Sequence, residues 1–162
     1  MPKGHLFTHN RAKCIIEGAS RASFTLYRHG RHNSDAPCGV NFGSPLKRKY
    51  KPEYASRKKY DYDAARTFLR LSHEELIKVA DTMGEKLNGA HGPVKVLIPL
   101  GGWSSVDKRG SYFYDGEADT VFVTQLKKHL RRNIEVREVD ADLESSEFAK
   151  AVVETFDEIM QA

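Results

Sequence analysis

Residues 94–100, VKVLIPL, read as a buried strand carried by Val94, Val96, Leu97 and Ile98, and that strand runs straight into a Gly101-Gly102 pair. What surrounds it narrows the fold further. Upstream, Ser72 with Glu75 makes a capping-box pattern, and Leu76, Val79, Ala80, Met83 and Leu87 follow at helical spacing up to Asn88-Gly89. Downstream, Asp115 can cap a second helix whose face is Ala118, Val121, Phe122, Leu126 and Leu130, closed by Arg131 and Arg132 at its negative end. Ile134 and Val136 then alternate with Glu135 and Arg137 as in a half-exposed strand, and a last helix carries Phe148, Val152, Val153, Phe156 and Ile159. The order α–β–α–β–α demands parallel strands joined by right-handed crossovers. The expected fold is therefore α/β, a three-layer, parallel-sheet (Rossmann-like) subdomain. Two strands make a thin sheet, so the subdomain reads as partial.

The remainder of the chain has a different chemistry. Residues 1–72 hold 15 Lys/Arg against 5 Asp/Glu, whereas residues 73–162 hold 11 against 17. Between residues 11 and 66 lie stretches such as RHGRHNSDAPCG and FGSPLKRKYKPEY, basic, punctuated by Gly and Pro, and without helical or strand period. This predicts three segments: 1–10, an irregular basic insertion or loop over 11–66, and the α/β subdomain over 67–162. The alternative for 11–66 is that it adds strands to the sheet. No apolar run reaches the roughly 18 residues of a membrane span, which excludes a helical membrane anchor within these residues. Two cysteines, Cys14 and Cys38, form no C-x-x-C and no disulfide framework, so the expected compartment is a reducing cytoplasm.

A strand that empties into Gly-Gly beside hydroxyls lets backbone N–H groups approach an anion, and α/β proteins place phosphate sites at such strand ends. Neither G-x-x-x-x-G-K-[ST] nor G-x-G-x-x-G is present, so the loop by itself is weak support. The runs GPVKVLIPLGGWSSVD, FYDGEAD and EVREVDADLESSEFAKAVVETF, however, resemble the C-terminal end of the tomato mosaic virus resistance protein-like family, continuously over about residues 67–159. The shared module of that family is described as an ATP-binding domain, and many of its members have long stood as uncharacterised proteins. The resemblance implies ATP and Mg²⁺ as ligands. It also implies a large N-terminal portion that nothing in these 162 residues stands in for. The chain accordingly reads as a fragment, one partner of a separately encoded pair, or half of a homodimer.

Candidate site residues follow from loop and resemblance together. Gly101, Gly102, Ser104 and Ser105 form the candidate phosphate-contact loop, with a tight turn that simply requires glycine as the alternative. Trp103, and less so Tyr112, Phe113 and Tyr114, are candidates for covering a nucleobase, although aromatics more often only pack. Of the acids Asp107, Asp115, Glu117 and Asp119, the last three suit a helix cap and first turn, which leaves Asp107 as the candidate on the Mg²⁺ side. His9, Asn10 and Arg70 match family positions near a strand start, Arg70 being the natural phosphate partner. His5, His9, His29 and His32 lack zinc-type spacing and read as solvated loop residues. Lys47, Arg48, Lys49, Lys51, Arg57, Lys58 and Lys59 interleave with Tyr50, Tyr54, Tyr60 and Tyr62, a pattern that suits either RNA binding or a solvated charged loop. A nucleotide-binding module is the leading reading. An RNA-binding or protein-interaction regulator, with a viral or other protein as partner, and a scaffold without independent activity are the alternatives. No nucleophile–base pair assigns a reaction.

Overall fold

The computed structural model describes residues 33–35, 37 and 39–161. Its elements are β1 (Asn33–Asp35), β2 (Phe42–Gly43), single 3-10 turns at Lys47–Lys49 and Pro52–Tyr54, β3 (Lys59–Asp61), β4 (Thr67–Arg70) and α1 (His73–Asn88). Then come β5 (Val94–Pro99), β6 (Gly102–Ser104), β7 (Asp107–Lys108), α2 (Gly116–His129), β8 (Glu135–Val139) and α3 (Ser146–Gln161).

Both helix starts are fixed by local chemistry. The Ser72 hydroxyl accepts from the Glu75 N–H while the Glu75 carboxylate accepts from the Ser72 N–H, so α1 opens on a complete capping box. The Asp115 carboxylate accepts from the Ala118 N–H and caps α2. The interior face of α1 matches the periodicity in the sequence, and that of α2 is rotated from it, Val123 being buried in place of the Val121 that the spacing predicts and Leu130 lying past the helix end. Leu76, Val79, Ala80, Met83 and Leu87 are buried on α1, and Ala118, Phe122 and Leu126 on α2. These residues share one core with Val94, Val96 and Ile98 of β5.

The parallel sheet has the order β1-β5-β8, with Val96 opposite Val136 and Ser34 opposite Lys95. Along β5, Val94, Val96 and Ile98 turn toward α1 and α2. Lys95 turns the other way and reaches Glu158 on α3 at 2.7 Å. The fold is thus mixed α/β, with helices around a small parallel sheet. A second, antiparallel sheet has the order β2-β4-β3, and β6 and β7 make a two-stranded hairpin.

Two expectations need correction. The segment 11–66 is not irregular throughout, because from residue 33 it supplies β1 to the parallel sheet and both neighbours of β4. It also gives Val40 and Tyr54 to the core. Its strands are two or three residues long, too short to display a period. On α3 the buried positions are Phe148, Thr155 and Ile159, whereas Val153 and Phe156 are 60% and 43% exposed. The helix rests on the sheet along a narrower line than its apolar residues span, with Thr155 accepting from Arg137 at 3.1 Å. His9, Asn10, Cys14 and Cys38 lie outside the described residues.

Candidate functional site

At the end of β5 the backbone is committed to protein partners. Leu100 N–H donates to Val139 O at 2.8 Å and Gly101 N–H to Ala141 O at 2.9 Å, so the chain is stitched to the exit of β8. Gly101 O accepts from Arg109 N–H at 2.7 Å, and Gly102 O accepts from Leu143 N–H at 3.0 Å. Gly102 has φ +131°, and a Cβ there would overlap the Asp107 carbonyl oxygen. The glycine pair thus has a structural duty: it lets three backbone segments pass one another at the sheet end. What crowds Gly102 is backbone rather than open space for an anion. Ser104 is half-buried and Ser105 exposed.

Trp103 is 1% exposed, donates its indole N–H to Pro99 O at 2.9 Å and meets Phe122 edge-on at 5.1 Å between ring centres. It is a core residue with a satisfied polar handle, not a surface for stacking. Phe113 is likewise buried, and Tyr112 is 75% exposed.

Arg70 and Asp107, marked in the sequence for separate roles, face each other. Arg70 Nη1 lies 3.0 Å from Asp107 Oδ1, an ion pair without hydrogen-bond alignment, and Arg70 Nη2 donates to Asp119 Oδ1 at 2.7 Å. Asn41 Nδ2 donates to both carboxylates, at 2.6 Å to Asp107 and 2.8 Å to Asp119. Arg70 also donates to Asp115 O at 3.2 Å, and the Phe113 ring lies 5.6 Å from its guanidinium. All four side chains are buried, Asn41 and Asp107 completely. One cation therefore neutralises two carboxylates away from water. Burial pushes the Asp119 carboxyl up to about 6; Arg70 opposes the rise and the Asp107 charge adds to it. Burial also raises Asp107, against Arg70 and Asn41. Asp115, which burial would push up, is held below the usual carboxylate range by the Ala118 N–H and Lys58.

Asp107 thus does not fit a Mg²⁺ ligand reached through water, since its carboxylate is enclosed and engaged by Arg70 and Asn41. Sequence reasoning missed Asn41 altogether and gave Asp119 to the first helical turn. The signal for Asp119 was its place beside Ala118, Phe122 and Val123, which puts it on the inward side of α2.

Asp119 borders a second feature, a cavity of about 310 Å³ at the C-terminal end of β5 and over the start of α2. Its wall includes Leu100, Trp103, Arg109, Tyr114, Asp119 and Lys127. Tyr114 donates its hydroxyl to Leu100 O at 3.1 Å. The two cations pair with acids at the surface, Arg109 with Asp140 at 2.8 Å and Lys127 with Glu138 at 2.7 Å. Gly101, Gly102, Ser104 and Ser105 are not among the residues lining the cavity.

The basic segment is partly spoken for. Arg57 is bound to Glu75 at 2.6 Å and Lys58 to Asp115 at 3.3 Å, and Tyr54 is in the core.

Comparison with known proteins places most of the described residues in one family. The model of the C-terminal domain of uncharacterised protein family UPF0261 matches residues 36–160, and the chain belongs to that family. A UPF0261 protein of Clostridium tetani is 32% identical over 123 residues, covering 75% of this chain and 30% of its own length. The ToMV resistance protein Tm-1(GCR237) of Solanum lycopersicum is 34% identical over 122 residues, 74% of this chain and 16% of its own. The ToMV susceptible protein tm-1(GCR26) of the same plant is 33% identical over 119 residues, 72% and 16%. The chain therefore spans less than a third of the length of these relatives. The match begins at residue 36, so residues 36–66 are part of what the family shares.

Proposed function

We propose that this UPF0261 family member is a nucleotide-binding α/β module, of three-layer Rossmann-like construction, whose ligand is ATP or a related nucleotide. The observation that carries the reading is the cavity of about 310 Å³ at the C-terminal end of β5, above the start of α2. Open parallel sheets bind ligands in the crevice beyond the carboxyl ends of their strands. The volume lies at the lower end of small-molecule sites, roughly 300–1,000 Å³, enough for part of a nucleotide. Arg109 and Lys127 supply positive charge at its wall. Their pairings with Asp140 and Glu138 are exposed, and exposed pairs are worth only about 0–1 kcal/mol, so phosphates can displace those acids at small cost. The Gly101-Gly102 backbone plays no part in this version of the site; it holds the floor in place. Mg²⁺ enters with the nucleotide's own phosphates rather than on Asp107.

The reading extends to binding in the cytoplasm and assigns no reaction. Resistance to the virus is not carried over, since the resistance and the susceptible tomato proteins match this chain at 34% and 33%. Calorimetric titration with ATP, with and without Mg²⁺, tests the proposal. Binding that weakens about tenfold or more in Lys127→Glu/Arg109→Glu supports it, each charge-assisted contact being worth about 1.5–3 kcal/mol. Absence of heat up to millimolar ATP, or equal affinity in the variant, refutes it.

A further inference from the structure

The antiparallel sheet carries a surface that the cavity does not use. Its register puts Tyr60 opposite Phe68 and Lys59 opposite Leu69. Thr67 and Leu69 turn inward and are buried, Leu69 within the core, so Phe68 and Tyr60 share the opposite face. The rings there form a row. Tyr62 stacks on Phe68 at 4.8 Å and 26°, Tyr60 lies 6.1 Å from Phe68 at 20°, and Phe42 flanks Phe68 at 4.7 Å. The Arg66 guanidinium sits over the Tyr62 ring at 5.0 Å. Tyr60 and Tyr62 remain 41% and 54% exposed, whereas the Phe68 ring is sandwiched between Phe42 and Tyr62.

The charge around the row is one-sided. Residues 47–66 contain eight cations and three acids. Arg57 and Lys58 are turned to Glu75 and Asp115, and Lys59, opposite Leu69 and donating to Ala55 O at 3.2 Å, lies on the other side of the sheet, but Arg48 and Lys49 are exposed. Asp61 and Asp63 hold Lys47 and Arg66 in surface pairs at 3.1 and 2.7 Å, which ties the Arg66 side chain across the row. Part-exposed aromatic rings, a guanidinium plane over one of them and an excess of cations in the same segment match the chemistry of unpaired bases on a phosphate backbone. A duplex hides its base faces and cannot use the rings. An ordinary protein partner would need no surplus of positive charge.

We propose that the exposed edge of this aromatic row binds single-stranded nucleic acid, with bases stacked on Tyr60 and Tyr62 and phosphates on Arg48 and Lys49. This surface is distinct from the nucleotide cavity, none of whose lining residues belongs to the antiparallel sheet.

The test is fluorescence anisotropy of the full chain with end-labelled oligouridine and oligothymidine of about 12 nucleotides, within the site sizes such grooves cover. Two phosphate contacts predict a roughly sevenfold loss of affinity between about 50 and about 200 mM salt, from a slope of about 0.7 per contact. Tyr60→Leu/Tyr62→Leu keeps apolar area but removes the π-faces, and should weaken binding about tenfold or more. Tyr60→Phe/Tyr62→Phe keeps the rings and should bind like the wild type. No binding at the lower salt, equal affinity of the Leu variant, or equal competition by a duplex of the same length each overturns the proposal. Should the Leu variant fail to fold by circular dichroism, the Phe variant and the duplex arm still decide.

Discussion

Among the described residues Arg70 is the sole cation paired with the two buried carboxylates, and removing it is the sharpest test of how this fold is held. Replacing it with methionine keeps most of the volume but leaves Asp107 and Asp119 enclosed without a facing cation, held by Asn41 and, at Asp107, the Trp103 backbone N–H. Breaking a buried pair from one side typically costs about 3–5 kcal/mol. For a chain of this size that is a fall in Tm of roughly 6–20 °C. The loss must depend on pH, with a definite sign. In the wild type Asp119 rises from 3.8 to about 6. The folded state therefore holds a proton that the unfolded state has released between those values. That contribution is present below about pH 4 and lost as pH rises through about 6, at a scale of roughly 3 kcal/mol. Arg70 opposes the rise of both carboxylates. Without it both titrate higher, so the penalty of Arg70→Met should be largest at about pH 8 and shrink toward about pH 5, where protonation removes the uncompensated charge and roughly 1–2 kcal/mol of lost hydrogen bonding remains. Urea unfolding of both proteins at the two pH values measures it. A variant within about 1 kcal/mol of the wild type at pH 8, an effect ordinary for surface substitutions, would refute the reasoning. So would a penalty that does not change with pH.

Asp119→Asn should flatten the wild-type stability loss between about pH 4 and 6 and leave the variant the more stable protein at pH 7, read by urea midpoints across that range. Gly102→Ala should unfold or strongly destabilise the chain, because its Cβ meets the Asp107 carbonyl at positive φ; a cooperative transition near the wild-type midpoint would contradict this. Val153, Phe156 and Met160 leave an apolar stripe exposed on α3, so the chain should self-associate at micromolar concentration. Sedimentation of Val153→Ser/Phe156→Ser/Met160→Ser should then show a monomer, and an unchanged distribution would acquit the stripe.

What the sequence displays of this fold is what local chemistry decides. The Ser72 and Glu75 box, the Asp115 cap, the inward face of α1 and the strand β5 all depend on neighbours within a few residues, and each stands where the pattern puts it. The antiparallel sheet depends on partners much further off. Phe42 meets Arg70 and Lys59 meets Leu69, and strands of two or three residues carry no alternation to announce this. The site divides along the same line. Asp107 stands out as an acid without a capping duty and Arg70 as a match to a family position, but only the folded chain shows that each is the other's partner. Asn41 is 66 residues from Asp107 and 78 from Asp119, a separation that no spacing rule spans. Gly102 was recognisable as a place where a side chain cannot fit, and the obstacle proved to be the protein's own backbone.

The segment between β7 and α2 joins the features that matter here. Tyr114 borders the cavity and donates to Leu100 O at 3.1 Å. Its neighbour Phe113 turns the opposite way, 5.6 Å from the Arg70 guanidinium, 5.6 Å from the Phe42 ring and 6.2 Å from the Tyr60 ring. Asp115 then caps α2 and receives Lys58 from the end of the basic segment. Three consecutive residues thus touch the cavity, the buried charge cluster and the aromatic face. The cluster fixes the segment from below through Arg70 and Asp119, and the rings fix it from the side through Phe113. The position of Tyr114 in the cavity wall is therefore set by contacts made on the far side of the same short loop, which is why the antiparallel sheet belongs to the site even though none of its strands lines the cavity.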